Sequence, residues 1–502
     1  MDLHPDPMPP GLSLQELAGL LRGHAPQISG DAQVLLTGVQ QDSRRVRAGD
    51  LFAARRGTHT SGAAHVLAAA DRGAVALLLE RGELLPATRL PAMFVENVRG
   101  ALALAAEAVY GFPSRAIDVI GITGTNGKTT TSYLLEQGLR GTGARPGRLG
   151  TLGFQYGPRL ESSSLTTPEA DDISRCAREV QRLGGSHLVM EVSSIALSQE
   201  RVSGLRFRAA AFTNLTQDHL DFHGSFEAYG AAKAELFTRL EPELSVVHVG
   251  DEFGRKLAQR LSGPVLRVAR RGPADVFTVA AELSARGLTA RIVTPQAECE
   301  LRSSLVGEHN LENLLVALGV LVGLGVDPAA AASALSESPQ VPGRLERCDS
   351  VEDDVLVLVD YAHTPDALTR VLRAVRQLGE GRVSCVFGCG GDRDAQKRPL
   401  MGEAVGRGAD YAFVTSDNPR SEAPEAIARM IIPGLQAASA EYEVELDRAQ
   451  AIERAVLRAK AGDVVLIAGK GHEDYQIVGK NRQAFDDRVE ARRALELRRR
   501  RG

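Results

Sequence analysis

The stretch Val119 to Leu135, VIGITGTNGKTTTSYLL, constrains this chain more than any other. A short β-branched run enters a glycine-punctuated turn, and a helix-forming segment follows. Gly121, Gly127, Lys128 and Thr129 read as a phosphate loop ending in G-K-T, with Gly124, Thr125, Asn126 and Thr130 completing its span. Backbone N–H groups at a helix N-terminus can cradle anionic oxygens, while Lys128 reaches the terminal phosphates and Thr129 meets a magnesium ion. A nucleotide with Mg2+ is expected, and kinases, ATPases and ligases all use such a loop.

Short apolar runs alternate with Ala/Leu/Arg-rich stretches along the 502 residues, the pattern of α/β domains with largely parallel sheets. The expected strands are DVIGIT before the turn, SHLVMEV (186–192), AAAFTNL (209–215), DVLVLVDY (354–361), RVSCVFG (382–388) and DVVLIAG (463–469). The length suggests about three domains. Joints at GFPSR (111–115) and VPGR (341–344) place them at 1–98, 99–343 and 344–502, with the helix from Val98 to Tyr110 open to either side of its joint.

A formal net charge of −4 argues against a general nucleic-acid binder. MDLHPDPMPP lacks the apolar core of a secretory signal, and the longest apolar run, Leu314 to Val326, is too short to span a bilayer. A soluble, cytoplasmic protein without membrane contact is expected. Its five cysteines lack the paired spacing of a zinc site and are expected to be reduced and buried.

Ligands of open α/β sheets bind at the carboxyl ends of strands. EVSS (191–194) and NLTQDHLDFHG (214–224) stand at such ends, so Glu191 can hold magnesium and His219 offers an imidazole near the same edge. Lys233, in YGAAKAELF, follows on a helix.

GTNGKTT, EVSS, DHLDFHG and YGAAK resemble, in order and spacing, the central domain of the Mur ligases, ATP-dependent amino-acid ligases of peptidoglycan precursor synthesis. The resemblance extends over nearly the whole chain through DSRRVRAGDLFAARRG (42–57), TTPE (166–169), GEHNLENLLVA (307–317), DYAHTPDAL (360–368), FGCGGDRDAQKRPLMG (387–402), SDNPRSE (416–422) and AGKGHEDYQ (468–476). It implies a smaller N-terminal α/β uridine-binding domain, a central P-loop ATPase-like domain with a mostly parallel sheet, and a C-terminal Rossmann-like α/β domain. No obligate protein partner is implied.

The resemblance also implies roles. Lys128, Glu191, His219 and Lys233 are the expected catalytic set, and Thr129, Glu191, His219 and Lys233, if carbamylated, the metal-side set. Asn310, Arg344 and Asp360 join the loop as ATP-side positions. Ser43, Thr58, His59, Thr60, Thr166, Thr167, Ser193, Gln199, Arg201 and Lys233 fall where the family holds UDP-N-acetylmuramoyl-L-alanyl-D-glutamate. Arg393, Asp417, Asn418, Pro419, Arg420, Gly469 and Glu473 fall on amino-acid contacts of the branch that adds the third residue, a diamino acid. An arginine can fork onto a distal carboxylate and Glu473 suits an ammonium, so Arg420 favours meso-diaminopimelate over lysine or ornithine, which stay open if Glu422 or another nearby acid neutralises it. Departures are Ile195, where the family usually has histidine, and Gln41 and Thr58 beside the uridine positions. A folylpolyglutamate-type ligase and a catalytically silent nucleotide-binding scaffold are the rival classes.

Overall fold

A computed structural model of the chain describes residues 11–55, 61–84, 86–163 and 165–501. It divides into two compact units, one built from residues up to Phe277 with Val293–Glu298 and Glu312–Leu335, the other from Thr278–Ile292, Cys299–Leu311 and the chain from Ser336 onward.

The first unit opens on a five-stranded sheet ordered Gln27–Ser29, Ala92–Val95, Ala76–Glu80, Asp50–Ala54 and Gly38–Gln40, parallel except for its first pair. The helix Val98–Val109, whose side of the joint the sequence leaves open, packs Val98, Ala101, Leu102 and Ala105 into the core of this sheet. Its N-cap Asn97 accepts from the N–H groups of Arg99 and Gly100.

The larger sheet of this unit runs through Pro146–Gly150, His187–Glu191, Asp118–Thr123, Ala209–Phe212, Leu244–His248 and Val265–Ala269, all parallel. Gly153–Tyr156 and Arg159–Glu161 add an antiparallel edge. Its central strands are buried on both faces, which is why they read as continuous apolar runs rather than alternating ones. Thr123, Glu191 and Phe212 therefore end neighbouring strands on one edge, and the phosphate loop, EVSS and NLTQ leave from that edge.

The second unit centres on a six-stranded sheet ordered Glu346–Arg347, Leu356–Asp360, Val464–Ala468, Val383–Phe387, Tyr411–Val414 and Tyr442–Val444, again parallel after its first pair. Helices Pro365–Arg376, Lys397–Gly408 and Pro424–Ala437 cover one face and Arg448–Arg458 and Asp487–Arg501 the other. A buried Arg448–Asp487 ion pair, closed by two 2.7 Å hydrogen bonds, ties the last two helices together.

The expected strands of both units are present: DVIGIT at its full length, Asp118–Thr123, and each of the others two or three residues shorter than its apolar run. The run Leu314 to Val326 lies largely in the helix Glu308–Gly323, and no helix among the described residues is long and apolar enough to cross a membrane. All five cysteines are buried, and no disulfide joins any of them among the described residues.

Candidate functional site

The phosphate loop opens at Gly124, not at Gly121 as the sequence reading has it. Gly121 lies inside the strand Asp118–Thr123, where a side chain would press to 2.8 Å on the Phe207 ring. Gly124 and Gly127 are held at φ +149° and +86°, and a Cβ on either would collide with Thr213 Oγ1 or Asn313 Oδ1 respectively. Only glycine fits both the backbone and the space.

Neighbouring strand ends fix the loop. Thr213 Oγ1 donates to Asn126 O at 2.6 Å, Asn214 Nδ2 donates to the same oxygen at 3.1 Å, and Asn126 N–H donates to Asn214 Oδ1 at 3.0 Å. Thr125 Oγ1 donates to Thr216 O at 3.0 Å and accepts from Tyr229 OH at 3.1 Å. The helix Lys128–Gly141 starts directly from the loop, with Thr129 and Thr130 buried in its first turn.

Two lysines meet on one carbonyl. Lys128 Nζ donates to Gly124 O at 2.7 Å and to Thr125 O at 2.9 Å, and Lys233 Nζ donates to Gly124 O at 2.9 Å. Lys233, from the helix Phe226–Thr238, is 1% exposed, and its Nζ stands 4.4 Å from the Tyr229 ring centre. Burial first, then the nearby Lys128 charge, pushes the Lys233 ammonium well below the ordinary lysine range, opposed by Asp218. The result is an amine that loses its proton readily inside an otherwise cationic loop.

Glu191 is equally buried. Its carboxylate accepts from Thr129 Oγ1 at 2.9 Å, Thr151 N–H at 2.7 Å and Thr151 Oγ1 at 3.1 Å. A hydroxyl and a carboxylate in contact beside a phosphate loop are hard oxygen donors, and magnesium is commonly held by one or two such groups together with phosphate oxygens and waters. The donor set therefore fits that ion. His219 is not brought to Glu191: it stands half-exposed at φ +51°, with Nε2 3.6 Å from Asp218. Among the described residues no three His, Cys, Asp or Glu side chains converge as a ready metal cluster. His223, unassigned from sequence, points inward, with Nε2 3.0 Å from Ser194 Oγ and its ring 5.2 Å from that of Tyr229.

The substrate-side positions of this unit assemble around Thr167. Its hydroxyl donates to Glu191 O at 2.9 Å and accepts from Ser193 N–H at 2.9 Å. Arg201 donates to Thr167 O at 2.8 Å and Gln199 Oε1 at 2.7 Å and pairs with Glu169 at 3.1 Å; Thr166 Oγ1 lies 3.3 Å from Thr151 Oγ1. A cavity of about 930 Å³ is lined by Ser43, Gln41, Arg45, Arg55, Glu169 and Asp171 among others. Arg45 pairs with Asp172 and Arg55 with Glu169, whereas Asp171 is met by the Gln41 backbone and amide, the latter at 3.0 Å, and by no cation among the described residues. Burial, reinforced by Asp172, pushes the Asp171 carboxyl up to about 7. Thr58, His59 and Thr60 lie outside the described residues.

In the second unit, Arg344 stacks 4.7 Å over the Tyr361 ring, and Asp360, at the end of its strand, accepts from Leu345 N–H and Ala362 N–H, both at 2.8 Å. Asn310 Nδ2 donates to Val306 O at 2.8 Å. The amino-acid positions gather at the ends of Val383–Phe387, Tyr411–Val414 and Val464–Ala468. Arg420, at φ +51°, donates from Nη1 to Gly391 O at 2.7 Å; a Cβ on Gly390 would come within 3.0 Å of that nitrogen and 3.6 Å of Arg393 Cγ. Pro419 is buried with its carbonyl against Gly391. Asp417 Oδ1 accepts from Asn418 N–H at 2.6 Å, and its other oxygen faces Gly469. Glu422 is taken by Arg398, which is 1% exposed and forks onto both carboxylate oxygens at 2.8 and 2.7 Å. Glu422 is thus occupied by Arg398 rather than by Arg420.

Family models match in the order of this architecture. The Mur ligase family catalytic domain covers 35–110, the Mur ligase middle domain 122–321, and the Mur ligase glutamate ligase domain 343–471. A curated relative from Gloeobacter violaceus, a UDP-N-acetylmuramoyl-L-alanyl-D-glutamate--2,6-diaminopimelate ligase, is 44% identical over 98% of this chain and 100% of its own. The chain belongs to the Mur ligase family. A solved UDP-N-acetylmuramoyl-L-alanyl-D-glutamate--2,6-diaminopimelate ligase superposes on this Mur ligase with a TM-score of 0.70 at 32% identity, covering 97% of this chain and 99% of that one. A MurF ligase from Thermotoga maritima in complex with ADP reaches a TM-score of 0.63 at 20% identity, over 93% and 98% of the two chains, and speaks for the fold alone.

Proposed function

We propose that this Mur ligase joins a diamino acid, meso-diaminopimelate by preference, to the D-glutamyl γ-carboxylate of UDP-N-acetylmuramoyl-L-alanyl-D-glutamate at the expense of ATP, in the cytoplasm. The observation that carries the reading is the meeting of Lys128 and buried Lys233 on the Gly124 carbonyl, beside Glu191. A plain phosphate loop has no need of a second buried amine.

A carboxylate oxygen of the D-glutamyl group attacks the γ-phosphorus, ADP leaves, and an acyl phosphate forms. The amine of the incoming amino acid attacks its carbonyl carbon, and the tetrahedral intermediate expels phosphate and loses a proton to give the amide. The first step crowds a carboxylate against a triphosphate, and unit charges about 4 Å apart in an effective dielectric near 20 repel by about 4 kcal/mol. Lys128, released from its own loop carbonyls, answers that repulsion at the terminal phosphates. Thr129 and Glu191 would hold magnesium, which supplies positive charge to the transferring phosphoryl group. The readily deprotonated Lys233 amine suits attack on carbon dioxide, losing its remaining acidic proton to leave a carbamate, an oxygen donor in place of an ammonium.

In this reading, the expected segment 1–98 serves the UDP end, with the helix Val98–Val109 packed on its sheet, 99–343 serves ATP and the reacting groups, and 344–502 the amino acid. Ser43, Thr166, Thr167, Ser193, Gln199 and Arg201 serve the muramoyl dipeptide, Asn310, Arg344 and Asp360 the nucleoside, and Arg420 with Arg393 the distal carboxylate. Purified protein is expected to release phosphate only when ATP, magnesium, the dipeptide precursor and the amino acid are all present. Steady hydrolysis at the same rate without the dipeptide would make the protein a simple ATPase.

A further inference from the structure

We infer that Lys470 is a positioning residue for the incoming amino acid, a buried ammonium that fixes the Glu473 carboxylate and the Asn418 amide in one orientation. The inference rests on the amino-acid site proposed above. Lys470 lies just beyond the carboxyl end of the strand Val464–Ala468 and its side chain is 0% exposed. It cannot touch a substrate itself, and it is not a solvated surface lysine.

The partners of Lys470 define its work. Nζ stands 3.2 Å from Glu473 Oε2 and 3.3 Å from Asn418 Oδ1. Asn418 Nδ2 donates to the same Glu473 oxygen at 3.0 Å, and Asn418 Oδ1 also accepts from Ile477 N–H at 2.9 Å. The amide is thereby oriented from both ends, with its oxygen toward two donors and its nitrogen toward a carboxylate. Glu473 Oε2 is doubly engaged, and Oε1 accepts no hydrogen bond among the described residues, so it is the oxygen left to meet an ammonium.

A buried ammonium is costly unless a carboxylate answers it, and here Glu473 does so in the only ion pair that Lys470 makes among the described residues. The dependence is mutual. Burial first, then Glu473 and more weakly Asp417, push the nearby Tyr361 phenol up against the Arg344 charge, which places both carboxylates at this pocket. A fixed counter-charge behind Glu473 offsets the mutual repulsion of the two carboxylates at this pocket. Removing that charge would leave Glu473 free to turn and the pocket with an uncompensated acid pair.

The test is steady-state ligation by the full chain, varying meso-diaminopimelate at saturating ATP and dipeptide, with Lys470→Met, Glu473→Gln and the double variant. Lys470→Met is expected to raise the amino-acid KM about tenfold or more, with the KM values for ATP and dipeptide within about twofold of wild type. If Lys470 acts through Glu473, the double variant is no worse than Glu473→Gln alone. A wild-type amino-acid KM in Lys470→Met, or losses that multiply in the double variant, overturns the inference. Should Lys470→Met alone fail to fold, Glu473→Gln against the double variant, in which neither charge is left unpaired, still decides it. The wild-type arm separates the two readings: a wild type that joins lysine refutes the choice of amino acid while the Lys470 effect is read on the lysine KM, and a wild type that ligates nothing overturns both.

Discussion

Replacing Asp171 by asparagine should change how the stability of this protein depends on pH. Asp171 lies at the start of the helix Ala170–Arg182, is 2% exposed, and has no cation partner among the described residues, unlike its neighbour Asp172. Gln41 Nε2 donates to one of its oxygens at 3.0 Å, while Gln41 Oε1 is buried without a partner. A protonated Asp171 could give its O–H to that oxygen, and an ionised one cannot. The carboxyl titrates near 7 rather than at its ordinary 3.8, with burial as the main cause and the Asp172 charge behind it. The folded value lies above the unfolded one, so between about pH 4 and pH 7 the folded state holds the extra proton and stability falls as pH rises. The displacement from 3.8 to about 7 corresponds to about 4 kcal/mol, fully expressed above pH 7. Asp171→Asn carries no such ionisation, and its amide N–H can meet Gln41 Oε1. Urea unfolding from pH 5 to pH 8.5 should show wild type losing stability relative to the variant as pH rises, with the variant the more stable at the upper end. Parallel curves for the two proteins would refute the reasoning.

Other outcomes follow from the same contacts. Lys233→Ala should fold normally and lose most activity, with short carboxylic acids restoring part of it, and carbon-13 bicarbonate should label the wild-type lysine; an active enzyme with an unlabelled amine contradicts this. Arg420→Ala should erode the preference for meso-diaminopimelate over lysine mainly through the amino-acid KM, by the roughly 1.5 to 3 kcal/mol of a charge-assisted hydrogen bond, or one to two decades in kcat/KM. Glu422→Gln should leave that preference unchanged, because Glu422 belongs to Arg398; a stronger preference for meso-diaminopimelate in this variant would show that the two arginines share it. Thr151→Val removes one of the hydrogen bonds that orient Glu191 and should lower kcat several-fold without altering the amino-acid KM.

What the sequence disclosed follows the range of the interactions involved. The phosphate loop was legible because anion binding at a helix start dictates glycine, lysine and threonine at short spacing, although the opening glycine was misplaced by three residues in favour of a strand residue packed on Phe207. Glu191 was legible as a strand end. Thr151, Thr213, Asn214 and Tyr229 were not, since each acts on a segment tens of residues away through one hydrogen bond, and only the strand order brings them together. Lys233 sits on a helix whose pattern does not disclose that this face is buried, so only the family resemblance pointed to it. The balance between Arg420 and Glu422 could not be read from spacing, because the deciding residue is Arg398, reaching across from the helix Lys397–Gly408. His219 keeps its place near Tyr229, and the structure leaves it out of contact with Glu191.

The most direct measurement mixes purified protein with ATP, magnesium and UDP-N-acetylmuramoyl-L-alanyl-D-glutamate, offers meso-diaminopimelate, lysine or ornithine at equal concentration, and reads phosphate release together with the mass of the nucleotide product. The account predicts one phosphate per amide formed, a product heavier by one diaminopimelate residue, and the highest kcat/KM with that amino acid. Equal rates without any amino acid, or a product carrying lysine or ornithine in preference, would contradict it.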